Sequence, residues 1–358
     1  MGKTHSEMAS YIKKLIPADI PKVYPLNPIL KSISNEENIR NGVVAFRDFL
    51  YGIYDRFISD GSKYNNPPKN SEDGNSGHES AGTLAVGYPF IYNVTTILLN
   101  IGYYGTLTGN GDLMLFDNWK MLISGELAKK NISVLKIVEC LRFLVSCGLC
   151  FNRIDLDAKK PDLNELSEIT YPATPVVLTG LKTMAVAHRE LSANTVLNYY
   201  VFQRCDYRVL LNETPDTTAL IKDYIYPLSV KVQDFVLKLH HHYVGAGLVC
   251  KMKMHYFGVI FSYSYKSAVL FDYMPSPDGC SISTKAKNMD KYANVIEKFP
   301  IRLREKISRG YGCEKKLFNE PCQKGCHGFS FSLDDSILDI SGDIEIWLDK
   351  ELSCLQRK

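Results

Sequence analysis

The sequence lacks the short motifs that mark several common catalytic sites. It contains no Gly-x-x-x-x-Gly-Lys-Ser/Thr loop, no His-Glu-x-x-His motif and no Gly-x-Ser-x-Gly nucleophile turn. It also lacks a large excess of charge of either sign, since 42 basic residues stand against 39 acidic ones. A nearly balanced chain is not expected to bind polyanions over its whole surface. The sequence therefore favours no enzyme class, and whether the protein is an enzyme stays open.

The sequence also lacks the features of a secreted or membrane-spanning chain. Its first residues show neither the apolar core nor the cleavage site of a secretory signal. The ten cysteines are then expected to be reduced thiols in the cytoplasm and not a disulfide framework. The uncharged stretch 81–111 is interrupted by polar residues, glycines and Pro89. It predicts a buried helix followed by a turn, and no transmembrane segment is expected.

What is present predicts an α+β protein, with helix-rich N-terminal and middle modules and a C-terminal antiparallel sheet packed on helices. We expect an N-terminal helical segment at 1–58 and a helix-rich middle module at 83–225. Between them, 59–82 is rich in Ser, Asn, Gly and Pro, which is typical of a flexible linker. A C-terminal α+β module is expected at 226–358.

Apolar side chains recur at helical spacing in several segments: 35–58, 90–101, 133–147, 175–191, 194–211, 229–244, 289–308 and 343–353. Ser34 with Glu37 predicts a capping box at the first of these helices, and Thr174 is expected to cap the helix that follows it. Alternation and turn residues predict a hairpin at 106–115 and strands at 151–156, 259–287 and 329–340.

Three cysteines and a histidine lie in one short polar loop near the C-terminus: Cys313, Cys322, Cys326 and His327. Thiolates and an imidazole are the ligands of tetrahedral zinc. The spacing differs from that of a paired Cys-x2-Cys knuckle, and Cys354 is an alternative fourth ligand. The loop predicts structural zinc as the cofactor, with reduced free cysteines as the alternative.

Two other groups of cysteine or histidine give weaker signals. Cys147 and Cys150 form a Cys-x2-Cys pair at a helix C-terminus, where the helix dipole does not favour a thiolate, so a buried structural pair is expected. His240, His241 and His242 are consecutive on a helix and point about 100° apart, so they cannot converge on one metal ion.

Arg204, Cys205, Asp206, Tyr207 and Arg208 form the densest reactive cluster. On a helix, Arg204 and Arg208 would share one face and could bind the carboxylate or phosphate of a small anionic substrate. This anion-binding pair is the basis of an enzyme hypothesis. The alternative is an internal ion pair with Asp206.

The C-terminal half carries a local excess of basic residues. Between Lys251 and Gly310 there are eleven Lys or Arg and five Asp or Glu, an excess of +6, and aromatic residues alternate with the basic ones. Aromatic rings on a basic sheet could stack on single-stranded nucleic acid, but the same alternation is used to pack a sheet on helices, which we favour. The middle module also has the helix–hairpin–helix order of a winged helix, although Lys136, Glu139 and Arg142 give its exposed helix a mixed charge that is untypical of DNA readout.

The chain from Asn131 to its end resembles an uncharacterised family of bacterial proteins from low-GC Gram-positive organisms. The resemblance is carried by Tyr171-Pro172 with the helix after it, by the Arg204–Arg208 cluster, and by the Tyr292…Phe299-Pro300 segment running into Cys313…Cys322…Cys326. It implies a bacterial cytoplasmic setting and supplies no catalytic residues. The sequence as a whole predicts a non-enzymatic binding or regulatory protein of unknown partner, with an enzyme or a nucleic-acid-binding protein as alternatives.

Overall fold

The structure is a computed structural model that describes residues 4–64, 88–127, 132–158, 161–163, 166–191, 201–213, 216–255, 258–276, 279–284, 286–308 and 329–357. Its contacts divide the chain into two compact units, Met1–Pro215 and Asp216–Lys358. Each unit combines helices with one antiparallel sheet, so the predicted α+β class is confirmed. Within the described ranges, no helix is both long and apolar enough to cross a membrane.

The N-terminal unit is mainly helical. Its helices are α1 His5–Lys14, α2 Glu36–Ser59, α3 Gly61–Tyr64, α4 Pro89–Tyr104, α5 Trp119–Leu122, α6 Val134–Ser146 and α7 Val177–Val186. Its strands are β1 Thr106–Thr108, β2 Leu113–Phe116, β3 Cys150–Asn152 and β4 Ser167–Thr170. Short 3₁₀ turns cover Pro28–Ser32 and Tyr207–Leu210, and π-helical turns cover Ile123–Leu127 and Ala187–Leu191.

Helix α2 confirms the helix predicted at 35–58, but its cap differs from the prediction. Asn35 is the N-cap, and its Oδ1 accepts a hydrogen bond from the Asn38 N–H at 2.9 Å. The predicted capping box of Ser34 and Glu37 is therefore wrong, because the helix begins one residue later than that box requires. Likewise, Thr174 does not cap α7, whose N-cap is Val176.

Helix α2 packs on both α1 and α7, so residues 1–58 share one compact unit with most of the predicted middle module. The boundary between the two units falls at residue 215. The predicted linker is helical over Gly61–Tyr64. The remainder of it, 65–82, lies outside the described residues.

The sheet of the N-terminal unit has the strand order β1-β2-β4-β3, with every pair antiparallel. Its β1–β2 pair confirms the predicted hairpin, whereas the strand predicted at 151–156 is shorter and ends at Asn152. The β1–β2 hairpin lies in the chain between α4 and α5, which is the predicted helix–hairpin–helix order, and the winged-helix hypothesis stays a prediction.

The helix predicted at 194–211 is wrong over its second half. The Asp206 N–H donates to the Val201 carbonyl at 2.9 Å and the Cys205 N–H to the Phe202 carbonyl at 3.2 Å. These two bonds form a Schellman turn, which closes a helix. Cys205 occupies its left-handed position, with φ of 46°. The chain then continues as the 3₁₀ turn at Tyr207–Leu210. The first part of the prediction, 194–200, lies outside the described residues.

The C-terminal unit places helices against a five-stranded sheet. Its helices are α8 Thr217–Ile225, α9 Val230–Gly245, α10 Ala293–Ile296, α11 Ile301–Ser308 and α12 Ser341–Gln356. Its strands, in the spatial order of the sheet, are β5 Val249–His255, β6 Gly258–Tyr265, β7 Ala268–Ser276, β8 Gly279–Thr284 and β9 Phe329–Ser332. Short 3₁₀ turns cover Met289–Tyr292 and Asp335–Ile340.

One face of this sheet is aromatic and is covered by helices. The rings of Tyr263 and Phe271 stack with centroids 4.2 Å apart, and Tyr243 of α9 packs on Phe271 at 5.2 Å. Tyr224 of α8 packs on Phe261 at 5.6 Å. The sheet packed on helices is therefore confirmed.

The opposite face of the sheet is lined by small polar side chains. The strand register aligns one residue from each strand in a single row: Lys251, Ser262, Asp272, Ser283 and Ser330. Within this row, the Ser262 hydroxyl donates to Asp272 Oδ1 at 2.5 Å. In the sequence, this row appears as serines that alternate with aromatic residues along β6 and β9.

Two predictions in the C-terminal unit are wrong. The single helix at 289–308 is divided into a 3₁₀ turn, α10 and α11, with Pro300 immediately before α11. Proline has no N–H and disfavours helical dihedrals in the residue before it, which explains the break. Of the strand pair at 329–340, β9 is present, but Asp335–Ile340 forms a 3₁₀ turn capped by Asp334, whose Oδ1 accepts from the Ser336 N–H at 2.9 Å.

Candidate functional site

The residues of the predicted zinc site lie outside the described residues: Cys313, Cys322, Cys326 and His327. Zinc therefore stays a prediction. Cys354, the alternative fourth ligand, lies in α12 and is half-buried. Across the ranges that the structure describes, no three His, Cys, Asp or Glu side chains come together as a metal-binding group.

The consecutive histidines of α9 have separate roles. His240 is buried, with its Nδ1 2.9 Å from the Tyr263 hydroxyl and its Nε2 3.0 Å from the Thr218 hydroxyl. His242 instead lies at the surface, with its Nε2 3.0 Å from Asp349 Oδ1. The histidines therefore do not converge, as their helical spacing predicts. Burial lowers the pKa of His240, so this side chain is neutral near pH 7.

Cys147 lies at the C-cap of α6, and Cys150 lies at the start of β3. Burial raises the pKa of the Cys147 thiol to about 11, so it is neutral at physiological pH. A neutral thiol is a poor nucleophile and a poor metal ligand.

Arg204 and Arg208 converge on Asp206, although not on a helical face. Asp206 accepts two hydrogen bonds from Arg208, from Nε and Nη2, both at 2.7 Å, and Arg204 Nη2 lies 3.3 Å from Asp206 Oδ2. All three residues are buried. Burial alone would raise the pKa of the Asp206 carboxyl, but the charges of Arg208 and Arg204 outweigh it and lower that pKa below its ordinary value. The carboxylate is thus ionised and paired inside the protein.

Three arginine side chains donate hydrogen bonds to main-chain carbonyls of the loop 15–24, which follows α1. Arg204 Nε donates to the Leu15 carbonyl at 2.9 Å, and Arg47 Nη1 donates to the Ala18 carbonyl at 2.7 Å. Arg40 Nη2 donates to the Tyr24 carbonyl at 2.8 Å. Because Asp206 orients Arg204, the 204–208 cluster helps to position the 15–24 loop.

This loop forms one wall of a cleft of about 650 Å³ in the N-terminal unit. The other walls are α2 and the segment 171–177, which follows β4. Cavities of roughly 300–1,000 Å³ are typical of sites for small molecules. Neither Arg204 nor Arg208 lines the cleft. The predicted anion-binding pair therefore supports a wall of this site and is not exposed in it.

The cleft combines an apolar floor with a few charged groups. Apolar side chains come from α2 and from the start of α7: Val44, Ala45, Phe49, Val176 and Val177. The ring of Phe49 also packs edge-on against Tyr171, with centroids 5.1 Å apart. The lining also includes four charged residues, namely Lys22, Glu37, Arg40 and Asp48. Their formal charges balance.

Arg40 is the charged residue of the cleft that the structure fixes most firmly. Its Nη2 also donates to Glu36 Oε2 at 2.6 Å, and its guanidinium lies 5.5 Å from the centroid of the Tyr24 ring. The two hydrogens of Nη2 are thus used, whereas Nη1 has no acceptor in the described part of the chain. Only 17% of the Arg40 side chain is exposed, so a hydrogen bond to it is partly shielded from water.

The other predicted binding surfaces are less open than the sequence suggests. In the basic aromatic sheet, Phe261, Tyr263, Phe271 and Tyr273 are at most 2% exposed, so these rings pack the core. On α6, Lys136, Glu139 and Arg142 are exposed, as expected for that face. Arg142 donates through Nε to the Leu156 carbonyl at 2.9 Å, which ties it to its own unit.

Comparison of the chain with protein-family models, with curated proteins and with solved structures finds no match. The resemblance to a bacterial family therefore stays a prediction.

Proposed function

We propose that this protein is a non-enzymatic binding protein that takes a small molecule into the cleft between the 15–24 loop, α2 and the 171–177 segment. The observation that carries the proposal is the cleft itself. It has the volume of a small-molecule site and an apolar floor, and one of its charged groups, Arg40, is held in place by two hydrogen bonds.

The chemistry of the lining favours binding over catalysis. Among its described residues there is no cysteine, histidine or serine, the residue types that most often act as a nucleophile or as the base beside it. The Cys205 thiol, whose Sγ lies 3.5 Å from the Val43 carbonyl of α2, is buried, and burial raises its pKa far above the physiological range. A thiol in that state does not act as a nucleophile.

The enzyme hypothesis, in which Arg204 and Arg208 bind a small anionic substrate, receives less support. Both guanidiniums are buried and already face the Asp206 carboxylate. An anion from solution would have to replace an internal partner, which costs several kcal/mol because a buried charge would lose its pair. The structural zinc loop and a cytoplasmic setting remain part of the proposal, on the sequence arguments given above.

A screen of small molecules with a blocked variant tests the proposal. Val44 lies half-buried in the floor of the cleft, so Val44→Glu places a charged side chain where an apolar ligand would lie. Val230 in the C-terminal unit is 70% exposed, and Val230→Glu makes the same chemical change at a residue that does not line the cleft. We expect compounds that raise the melting temperature of the wild type and of Val230→Glu, but not of Val44→Glu. Equal responses of all three proteins, or no binder in the screen, would contradict the proposal.

A further inference from the structure

We infer that the ligand of the cleft is a zwitterion with an apolar body, of the class of apolar amino acids and their short peptides. The inference rests on the proposed function, since it names the ligand of the same cleft. It follows from three features of the lining: one oriented guanidinium with free donors, two carboxylates on the same helix, and an apolar floor between them.

The carboxylate end of such a ligand is assigned to Arg40. Both Nη2 hydrogens are used by the Tyr24 carbonyl and by Glu36, which fixes the plane of the guanidinium. The Nη1 hydrogens have no acceptor in the described structure. A carboxylate placed there forms a charge-assisted hydrogen bond with a group that is already oriented, so little side-chain entropy is lost.

The ammonium end is assigned to the acidic residues of α2. Glu37 and Asp48 line the cleft on either side of Arg40, and both are exposed. Asp48 Oδ1 already accepts from Arg47 Nη2 at 3.0 Å, so Glu37 is the main carboxylate for an ammonium group. Residues 37, 40, 44 and 48 recur at spacings of three and four, so they follow one face of the helix. An ammonium group bound on this face can therefore pair with a carboxylate that lies one or two helical turns from the Arg40 guanidinium.

The apolar body of the ligand is assigned to the floor between these charges. Val44, Ala45 and Val176 are half-buried there, so each still presents apolar surface that a ligand can cover. Burying this surface against a side chain such as that of leucine adds affinity in proportion to the area removed from water.

The same charges disfavour phosphate compounds. Lys22 and Arg40 are balanced by Glu37 and Asp48 in the lining, and Arg40 is also paired with Glu36 outside it. Asp48 is likewise paired with Arg47, so a ligand with two or more negative charges would find no surplus of cations here. Discrimination of this kind comes from unfavourable contacts with the wrong ligand as much as from favourable contacts with the right one.

Isothermal titration calorimetry on the full chain tests the inference with leucine, leucyl-leucine, N-acetyl-leucine, leucinamide, inorganic phosphate and AMP. We expect leucine or leucyl-leucine to bind, and the comparison of the two distinguishes a free amino acid from a peptide. N-acetyl-leucine lacks the ammonium group and leucinamide lacks the carboxylate, so each is expected to bind about 10- to 100-fold more weakly than leucine.

Two variants assign the ends of the ligand. Arg40→Gln is expected to lower the affinity for the zwitterion about 10- to 100-fold. The weak binding of leucinamide, which has no carboxylate, is expected to stay unchanged. Arg142→Gln is the matched control, because Arg142 also donates to a main-chain carbonyl of this unit but does not line the cleft. Glu37 is exposed, so Glu37→Gln is expected to leave the fold intact. It is expected to lower the affinity for leucine but not the affinity for N-acetyl-leucine.

The outcomes separate the ligand class from the proposed function. Binding of AMP or phosphate that is lost in Val44→Glu would overturn the zwitterion and leave the cleft as a binding site. Zwitterion binding that is equal in the wild type, Arg40→Gln and Glu37→Gln would also overturn the ligand class. The absence of any binding that Val44→Glu removes would overturn both.

Discussion

Gly42 of α2 and Gly180 of α7 meet backbone against backbone where the two helices cross. A Cβ atom added to Gly180 would lie 1.9 Å from the Gly42 carbonyl oxygen, and one added to Gly42 would lie 2.7 Å from the Gly180 nitrogen. Only glycine at both positions allows this approach. The crossing matters for the cleft, because α2 and the start of α7 form two of its walls.

Gly180→Ala is therefore expected to destabilise the N-terminal unit by about 1–3 kcal/mol, because the helices must move apart to admit the methyl group. Gly52→Ala is the matched control on α2, where an added Cβ meets nothing within 4 Å. There, alanine is expected to stabilise the helix by up to about 1 kcal/mol. Urea unfolding of both variants measures the two changes, and a loss of equal size in both would contradict the crossing.

Asp206 provides a second test of the N-terminal unit. Asp206→Asn removes the charge that pairs with two buried guanidiniums, so the free energy of unfolding is expected to fall by about 3–5 kcal/mol. The control is Asp339→Asn, because Asp339 is 77% exposed and its Oδ2 lies 3.7 Å from Arg302 Nη1, in a weak surface ion pair. There, the free energy of unfolding is expected to change by no more than about 0.5 kcal/mol.

The same residue predicts a pH dependence with a defined sign. The folded state lowers the pKa of Asp206, so the carboxylate stabilises the protein above the unfolded value of about 3.9. That stabilisation is lost as the pH falls through the lower, folded pKa. Chemical unfolding between pH 7 and pH 3 should show the stability difference between the wild type and Asp206→Asn shrinking at the acidic end. A difference that grows there would contradict the buried ion pair.

The elements that the sequence predicted well are those with a local cause. Helices α2, α6 and α9 carry unbroken apolar periodicity, and packing on one side reinforces it. Helix α1 was missed although Thr4 and Glu7 form a complete capping box at its start. The prediction of a helix through 211 is wrong because Cys205 adopts a left-handed conformation. Glycine usually marks such a position in a sequence, and no glycine stands here.

The cleft could not be predicted from the sequence because its walls are far apart in the chain. Residues 20–22, 37–49 and 171–177 meet only through tertiary packing. The charges of the 204–208 cluster are visible in the sequence, and so is the alternative that Arg204 and Arg208 pair with Asp206 instead of an external anion. The hydrogen bond from Arg204 to the Leu15 carbonyl joins residues 189 positions apart, so no local sequence pattern predicts it.

His240 predicts a pH response in the C-terminal unit. Burial lowers its pKa in the folded state, with a further contribution from His241 and an opposing one from Asp216. As the pH falls below the unfolded value of about 6.5, the unfolded chain takes up a proton before the folded state does, so stability is lost. The loss from pH 7 to pH 5 should be smaller in His240→Asn than in the wild type or in His241→Asn, whose side chain is exposed.

Metal analysis tests the zinc hypothesis for Cys313, Cys322, Cys326 and His327. The hypothesis predicts about one zinc per chain by mass spectrometry of untagged protein, and at least three thiols that react only after chelation. If the protein contains no zinc and the thiols of this loop react before chelation, the zinc hypothesis is wrong and these residues are reduced free cysteines.

Hydrogen exchange with a ligand from the screen tests the central claim most directly. The account predicts that the ligand slows amide exchange in three peptides of the N-terminal unit: those that contain residues 18–24, 37–49 and 171–177. Exchange in β5–β9 of the C-terminal unit should not change. Protection confined to residues 216–357, with none in the three cleft segments, would contradict it.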